Sequence, residues 1–316
     1  TENTAVGRIS LMANVSGISN VGVGEGTLYN NTYGSQNIAI GVRSLFTNKS
    51  GINNIAIGHN ALYTSDATNY NVAIGYYAMR QTTTGDSNTA VGYQSMYSTT
   101  IGLYNASFGA QSFYNNTTGQ QNTAVGYGSM YSNTTGSYNV ALGTNSLNAN
   151  SVGSNNVAVG YQAMNTANGT LYNVAIGYRA MYSNTTGDYN TAMGYAALYN
   201  NTTGIRNVAI GPFSLYNNTV GIYNTAVGNG SLNTNVSGNY NSAFGLDALY
   251  TANGANNNTA VGNFAMRMTT NGSDNTAVGH QALYSNTTGI QNTVMGINAL
   301  YSNTTGAYNT AVGRQA

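Results

Sequence analysis

NTAVGYGSMYSNTTGSY, Asn122 to Tyr138, returns every seventeen residues without insertion or deletion from one end of the chain to the other. Its opening asparagine falls nineteen times, from Asn3 through Asn122, Asn139 and Asn173 to Asn309. A fixed period of this size implies a stacked, quasi-one-dimensional fold in which each unit leans on its neighbours. Length alone suggests two domains, but the unbroken period predicts one continuous repeat domain over 1–316.

Numbering the repeat from its asparagine turns the chain into seventeen columns. Column 5 is glycine in all nineteen copies, including Gly126, Gly143 and Gly177. Column 2 is mostly Thr, Val or Ile, and column 4 is Val, Ile, Leu, Met or Phe. This alternation predicts a short strand with columns 2 and 4 on one, core-facing side. Column 3 is alanine in sixteen copies, including Ala73, Ala90, Ala124 and Ala141, and never carries a charge. A water-facing site would tolerate charge, so these alanines are expected to press against another chain. Columns 8 and 9, small then Leu, Met or Phe, suggest a second strand whose large residue fills the core opposite column 4. The S-N-T-T-G segment is a turn, with a positive φ expected at its column 15 glycine.

Helices are excluded by the glycine, threonine and asparagine content of each period. The fold class is therefore all-β: a parallel β-solenoid, or β-roll, with one 17-residue repeat per coil and about 19 coils. Coils about 4.8 Å apart would stack to roughly 90 Å. Column 1 asparagines, such as Asn122, Asn139 and Asn173, form either a side-chain amide ladder or a series of turn formers. A roll this thin is marginal alone, which predicts side-by-side association, most simply as a homotrimer. The chain opens and closes in mid-repeat with no visible cap, suggesting a segment or processed form of a longer protein.

Composition narrows the function classes. Charged residues are 5% and the net charge is +1, leaving no basic patch for nucleic acid. No apolar run is long enough to insert into a membrane as a helix. The chain has no cysteine, and its seven acidic residues are scattered. Asp86 and Asp188 share column 16 six coils apart, too far for a glycosidase pair. No cofactor, metal or catalytic residue is expected. His59 and His280 share column 6, where an imidazole ring in a trimer competes with an ordinary surface position. Sequons at Asn105, Asn133, Asn184, Asn286 and Asn303 would allow glycans on a rim. Thr pairs such as Thr134-Thr135 raise ice binding, but neighbours on a strand point to opposite faces. Tyr131, Tyr182, Tyr199, Tyr216 and Tyr284 share column 10. That row is either a stiffening stack or a surface for sugars or proteins.

NVAIG at Asn71 to Gly75 and Asn173 to Gly177, and NIAIG at Asn37 to Gly41, resemble head repeats of YadA-like trimeric autotransporter adhesins. NTAVGYQ at Asn88 to Gln94 and ALYSNTTG at Ala282 to Gly289 resemble repeats of phage-type trimeric tail fibres. The resemblance implies a left-handed, trimeric roll, although this period is longer than the usual adhesin repeat. The function expected is a non-enzymatic structural fibre or adhesin on a virion or cell surface. Its partners would be further copies of itself and a host glycan or protein receptor. An end-to-end extracellular filament, a polysaccharide-degrading enzyme and an ice-binding solenoid are the alternatives.

Overall fold

The three residues after each column 1 asparagine form a strand, and nothing else in the repeat does. In the computed structural model, which describes residues 2–316, there are nineteen such strands, β1 (Thr4–Val6) to β19 (Thr310–Val312). The fold comprises two compact units, Thr1–Asn155 and Asn156–Ala316. The first holds β1 to β9 (Val140–Leu142), and the second holds β10 (Val157–Val159) to β19. Within each unit, successive strands pair in parallel and in the register of the period. Thr123, Ala124 and Val125 lie opposite Val140, Ala141 and Leu142, and Val174 lies opposite Thr191. Each unit is thus a parallel β-solenoid with one repeat per coil.

The strand is inverted relative to the sequence expectation. Column 3 points into the coil: Ala73, Ala90, Ala124 and Ala141 are fully buried within their own chain. They have no surface to offer a second chain, so their assignment as an interchain contact is wrong. Columns 2 and 4 point outward, with Val125 38% and Phe244 41% exposed. The reason for small residues at column 3 is the wall opposite. A Cβ at Gly22 would lie 2.6 Å from Ser10 Oγ and 2.9 Å from Thr27 Oγ1, both in column 8. Where column 3 is Ser107, the Ser95 hydroxyl donates to its oxygen at 2.9 Å. Columns 3 and 8 therefore face each other across a space that admits only short side chains. The large core residue comes from column 9, where Met130, Leu147, Met181 and Leu198 are fully buried.

Columns 8 and 9 form a turn rather than a second strand. Met130 has φ 50°, Tyr138 in column 17 has φ 61°, and Asn145 in column 7 has φ 53°. A left-handed L-residue costs roughly 1–2 kcal/mol. The repeat offsets this because each such residue sends its N–H to an adjoining coil. Met130 N donates to Ser146 O at 3.0 Å, Tyr138 N to Gln120 O at 3.0 Å, and Asn145 N to Tyr127 O at 2.9 Å. Backbone groups that an ordinary turn would leave to water become rungs of the stack.

Column 5 needs glycine twice over. Gly126, Gly143 and Gly177 have φ 123°, 131° and 138°, and a Cβ on Gly126 would lie 2.7 Å from the Gly143 carbonyl carbon. At column 15 the requirement is space and not the expected positive φ. A Cβ on Gly136 would lie 2.3 Å from Gly153 O and 2.4 Å from Asn133 Oδ1.

Two asparagine ladders run inside each unit. Asn122 accepts at Oδ1 from Asn139 N at 2.9 Å and Asn139 Nδ2 at 3.1 Å. Its own Nδ2 donates to Gly136 O at 2.9 Å. Asn133 Nδ2 in column 12 donates to the same Gly136 O at 3.0 Å and to Asn116 Oδ1 at 3.1 Å. Asn173 repeats the pattern toward Asn156 and Gly187. Of the two readings of column 1, the ladder is the one observed. A buried amide left without such partners would cost about 1–3 kcal/mol.

Candidate functional site

With alanine, column 9 and both asparagine ladders inside, three faces remain outside. The strand face carries columns 2 and 4, flanked by tyrosines of columns 17 and 6. Tyr138, Tyr127 and Tyr178 on these flanks are 56%, 56% and 40% exposed. Its centre is Thr, Val or Ile at column 2, except for Ala106 and Ser242, beside Val, Ile, Leu, Met or Phe at column 4. Among the described residues nothing covers this largely apolar strip.

The second face is the column 10 stack. Tyr97, Tyr114 and Tyr131 stack at 5.1 Å between ring centres, tilted by 5° and 9°. In the second unit Tyr182, Tyr199 and Tyr216 stack at 5.2 Å, and Tyr284 stacks on Tyr301 at 5.0 Å. Apart from the exposed Tyr301 these rings are half-buried, so the stack is both a structural element and a surface. Arginines occupy two rungs. Arg80 lies 5.6 Å from the Tyr63 ring and 5.7 Å from the Tyr97 ring, and Arg267 lies 5.2 Å from Tyr250. A guanidinium continues an aromatic stack because its planar charge is attracted to ring faces.

The third face is the turn. Thr134 and Thr135 both reach the surface there, because the chain bends instead of alternating as a strand would. Thr134 donates its hydroxyl to Ser151 O at 2.9 Å, and Thr202 to Thr219 O at 2.9 Å. The asparagine between columns 11 and 13 points inward. Asn133, Asn184 and Asn286 are fully buried, as is Asn105 to within 1%. Asn303 is half-buried, and its Nδ2 donates to Asn286 Oδ1 and Gly306 O. In the folded chain the amide nitrogens of Asn105, Asn133, Asn184 and Asn286 are engaged and enclosed, which opposes glycan attachment there, whereas that of Asn303 is engaged but only half-buried.

The charged residues are mostly occupied in the stack. Asp86 Oδ1 accepts from Asn69 N, and Asp188 Oδ1 from Leu171 N, each at 2.7 Å. Glu25 pairs with Arg8 at 3.6 Å and Asp66 with Lys49 at 3.1 Å. His59 stacks on Tyr76 at 5.1 Å, and His280 lies edge-on to Phe264. Among the described residues no three His, Asp or Glu side chains converge as a metal site. Sequence reasoning missed the ion pair between Asp247 of column 7 and Arg267 of column 10, 3.2 Å apart. These residues are twenty positions apart, one period plus three, a diagonal that only the coil geometry makes short.

No family model matches the chain, and no curated protein matches it significantly.

Proposed function

We propose that this chain is a non-enzymatic structural fibre or adhesin segment, extracellular, on a virion or cell surface, and assembled from copies of itself. The observation that carries the proposal is the uncovered apolar strand face. Column 4 supplies one partly exposed apolar side chain at every rung, joined at column 2 by Val or Ile in eight rungs and by Thr in nine, a continuous row beyond what isolated surface residues explain. Net charge near zero offers nothing to a charged partner, whereas a second copy presents the same apolar rungs at the same spacing. A homotrimer with its strand faces turned toward one another closes the surface, which accords with the resemblance to trimeric adhesin heads and tail fibres. The column 10 tyrosine stack then stays outside, available to a host glycan or protein receptor.

Light scattering tests this reading on wild type and three variants. Val125→Glu keeps the fold, because its side chain points outward, and lowers the particle mass toward a single chain. Burying an unpaired carboxylate in an interface costs several kcal/mol. Ser137→Glu, in a column that already accepts Asp86 and Asp188, leaves the mass unchanged. Ala124→Glu lowers the melting temperature, since its carboxylate would enter the coil and disrupt the stack locally. A wild type with the mass of one chain defeats the proposal.

A further inference from the structure

From Tyr182 to Tyr301, one rung of column 10 holds neither an aromatic ring nor a guanidinium: Asn233. The adjoining column 7 residue is Gly230, which has no side chain to fill the space. Rungs lie about 4.8 Å apart, so omitting one ring leaves a slot about one ring thick between Tyr216 and Tyr250. The slot opens into a notch of about 540 Å³, walled by Phe213 and Tyr216 on one side and Tyr250, Asp247 and Arg267 on the other. That volume lies within the roughly 300–1,000 Å³ of small-ligand sites. Asn233 does not occupy the slot as a ring would. Its Nδ2 is drawn aside to Phe213 O at 3.0 Å.

The polar groups are held in place. Asp247 Oδ2 is fixed by Arg267 Nε at 3.2 Å, and the carboxylate side chain is only 19% exposed. Its other oxygen hangs over Gly230, where a Cβ would lie 2.3 Å from Oδ1. Glycine at 230 is thus what lets the carboxylate reach the notch. Phe213 stands edge-on to Tyr216, 5.8 Å between ring centres, which braces that wall.

We infer that the missing rung at Asn233 binds one pyranose ring of a glycan. The C–H face of the sugar stacks between Tyr216 and Tyr250, and adjacent hydroxyls bond the Asp247–Arg267 pair and the Asn229 amide. An aromatic side chain from a partner protein would fit the same slot by shape. It would, however, bring at most one donor to the carboxylate, against the several hydroxyls that ring a sugar. A sugar carries donors and acceptors around its rim while its faces stay apolar, and that is the pattern the notch presents. This assignment rests on the attachment reading above and specifies its ligand class.

The test is saturation-transfer NMR on the intact chain. The probes are the methyl glycosides of glucose, galactose and N-acetylglucosamine at millimolar concentration, with p-cresol as a mimic of a tyrosine side chain. At least one glycoside should receive saturation at its ring C–H protons. Asn233→Tyr, which completes the stack and should melt no lower than wild type, should reduce that signal at least fivefold. Asp247→Asn, which keeps the shape, should reduce it severalfold. No signal from any glycoside, a signal indifferent to Asn233→Tyr, or a response to p-cresol alone would each overturn the assignment. A self-associating wild type that binds no sugar removes this site and leaves the fibre reading standing. A monomer that binds sugar does the reverse.

Discussion

At the scale of single residues, the repeat contains exchanges that compensate one another. Column 15 holds Thr68, Thr170 and Ala255 in three copies, and in those same copies column 12 holds Ser65, Ala167 and Ala252 in place of asparagine. The clash measured at Gly136, 2.4 Å to Asn133 Oδ1, explains the pairing. An asparagine that reaches back to column 15 excludes a side chain there, and a shorter residue releases it. With threonine at column 12 the glycine persists, as at Gly85, where a Cβ would meet Thr82 Cγ2 at 3.4 Å and Gly102 O at 2.6 Å. A double-mutant cycle follows. Gly136→Ala should destabilise the wild type markedly and the Asn133→Ala background less, with a coupling of about 0.5–3 kcal/mol in denaturant melts. Strict additivity would show that the neighbouring coil's carbonyl alone enforces the glycine. The same scale explains a missed feature. None of the eighteen residues in column 9, Leu11 to Leu300, is β-branched, nor is any in column 17 from Ser19 to Tyr308. Both columns are left-handed throughout, a conformation that β-branched side chains resist. That absence was legible as a backbone signal, but the apolar character of column 9 made a strand the simpler expectation.

Among the elements, the aromatic stacks have a consequence that depends on pH. Tyr114 lies between Tyr97 and Tyr131, and burial, then those neighbouring phenols, push its pKa above the ordinary 10.0. A phenol whose folded pKa is raised stays neutral in the stack at a pH where the unfolded chain has already ionised. Its contribution to stability is complete below the unfolded pKa of about 10 and is lost as pH rises through the folded value. Melting temperature should therefore be insensitive to Tyr114 ionisation up to about pH 9 and fall above about pH 10. Tyr114→Phe should make that alkaline fall shallower without changing melting at pH 7. An identical alkaline profile for the variant would mean that the stack does not sense the phenol's charge.

For the whole molecule, the fold is a sum of coils, so a coil is the unit that can be removed. In the second unit Val174 lies opposite Thr191, and Thr191 lies opposite Val208. Excising residues 190–206 would bring Val174, Ala175 and Ile176 opposite Val208, Ala209 and Ile210, and Tyr182 against Tyr216. Stability of stacked repeats is approximately a sum of unit and neighbour terms. The excised chain should keep its β-type circular dichroism per residue and a cooperative melt at slightly lower temperature. Excising only residues 190–197 takes the ladder asparagines out of the interior, setting Asn207 against Tyr182 and Asn201 against Ile176, and should abolish the cooperative melt. If both deletions behave alike, the register is not set by the ladders.

What the amino-acid order determined alone was the period, and with it the solenoid and the parallel register, while the choice between a ladder and turns at column 1 came from the structure. A strict repeat can satisfy its backbone only by stacking like on like. Inside and outside were decided by the tertiary structure. Alanine, valine and isoleucine alternate equally well with either side inward, and periodicity cannot choose between them. The choice came from column 8, whose short side chains close the interior opposite column 3 and push the larger residues of columns 2 and 4 to the surface. The notch at Asn233 needed the same knowledge. Asp247 and Arg267 are unremarkable in sequence, and they meet because coil stacking turns a separation of one period plus three into a direct contact.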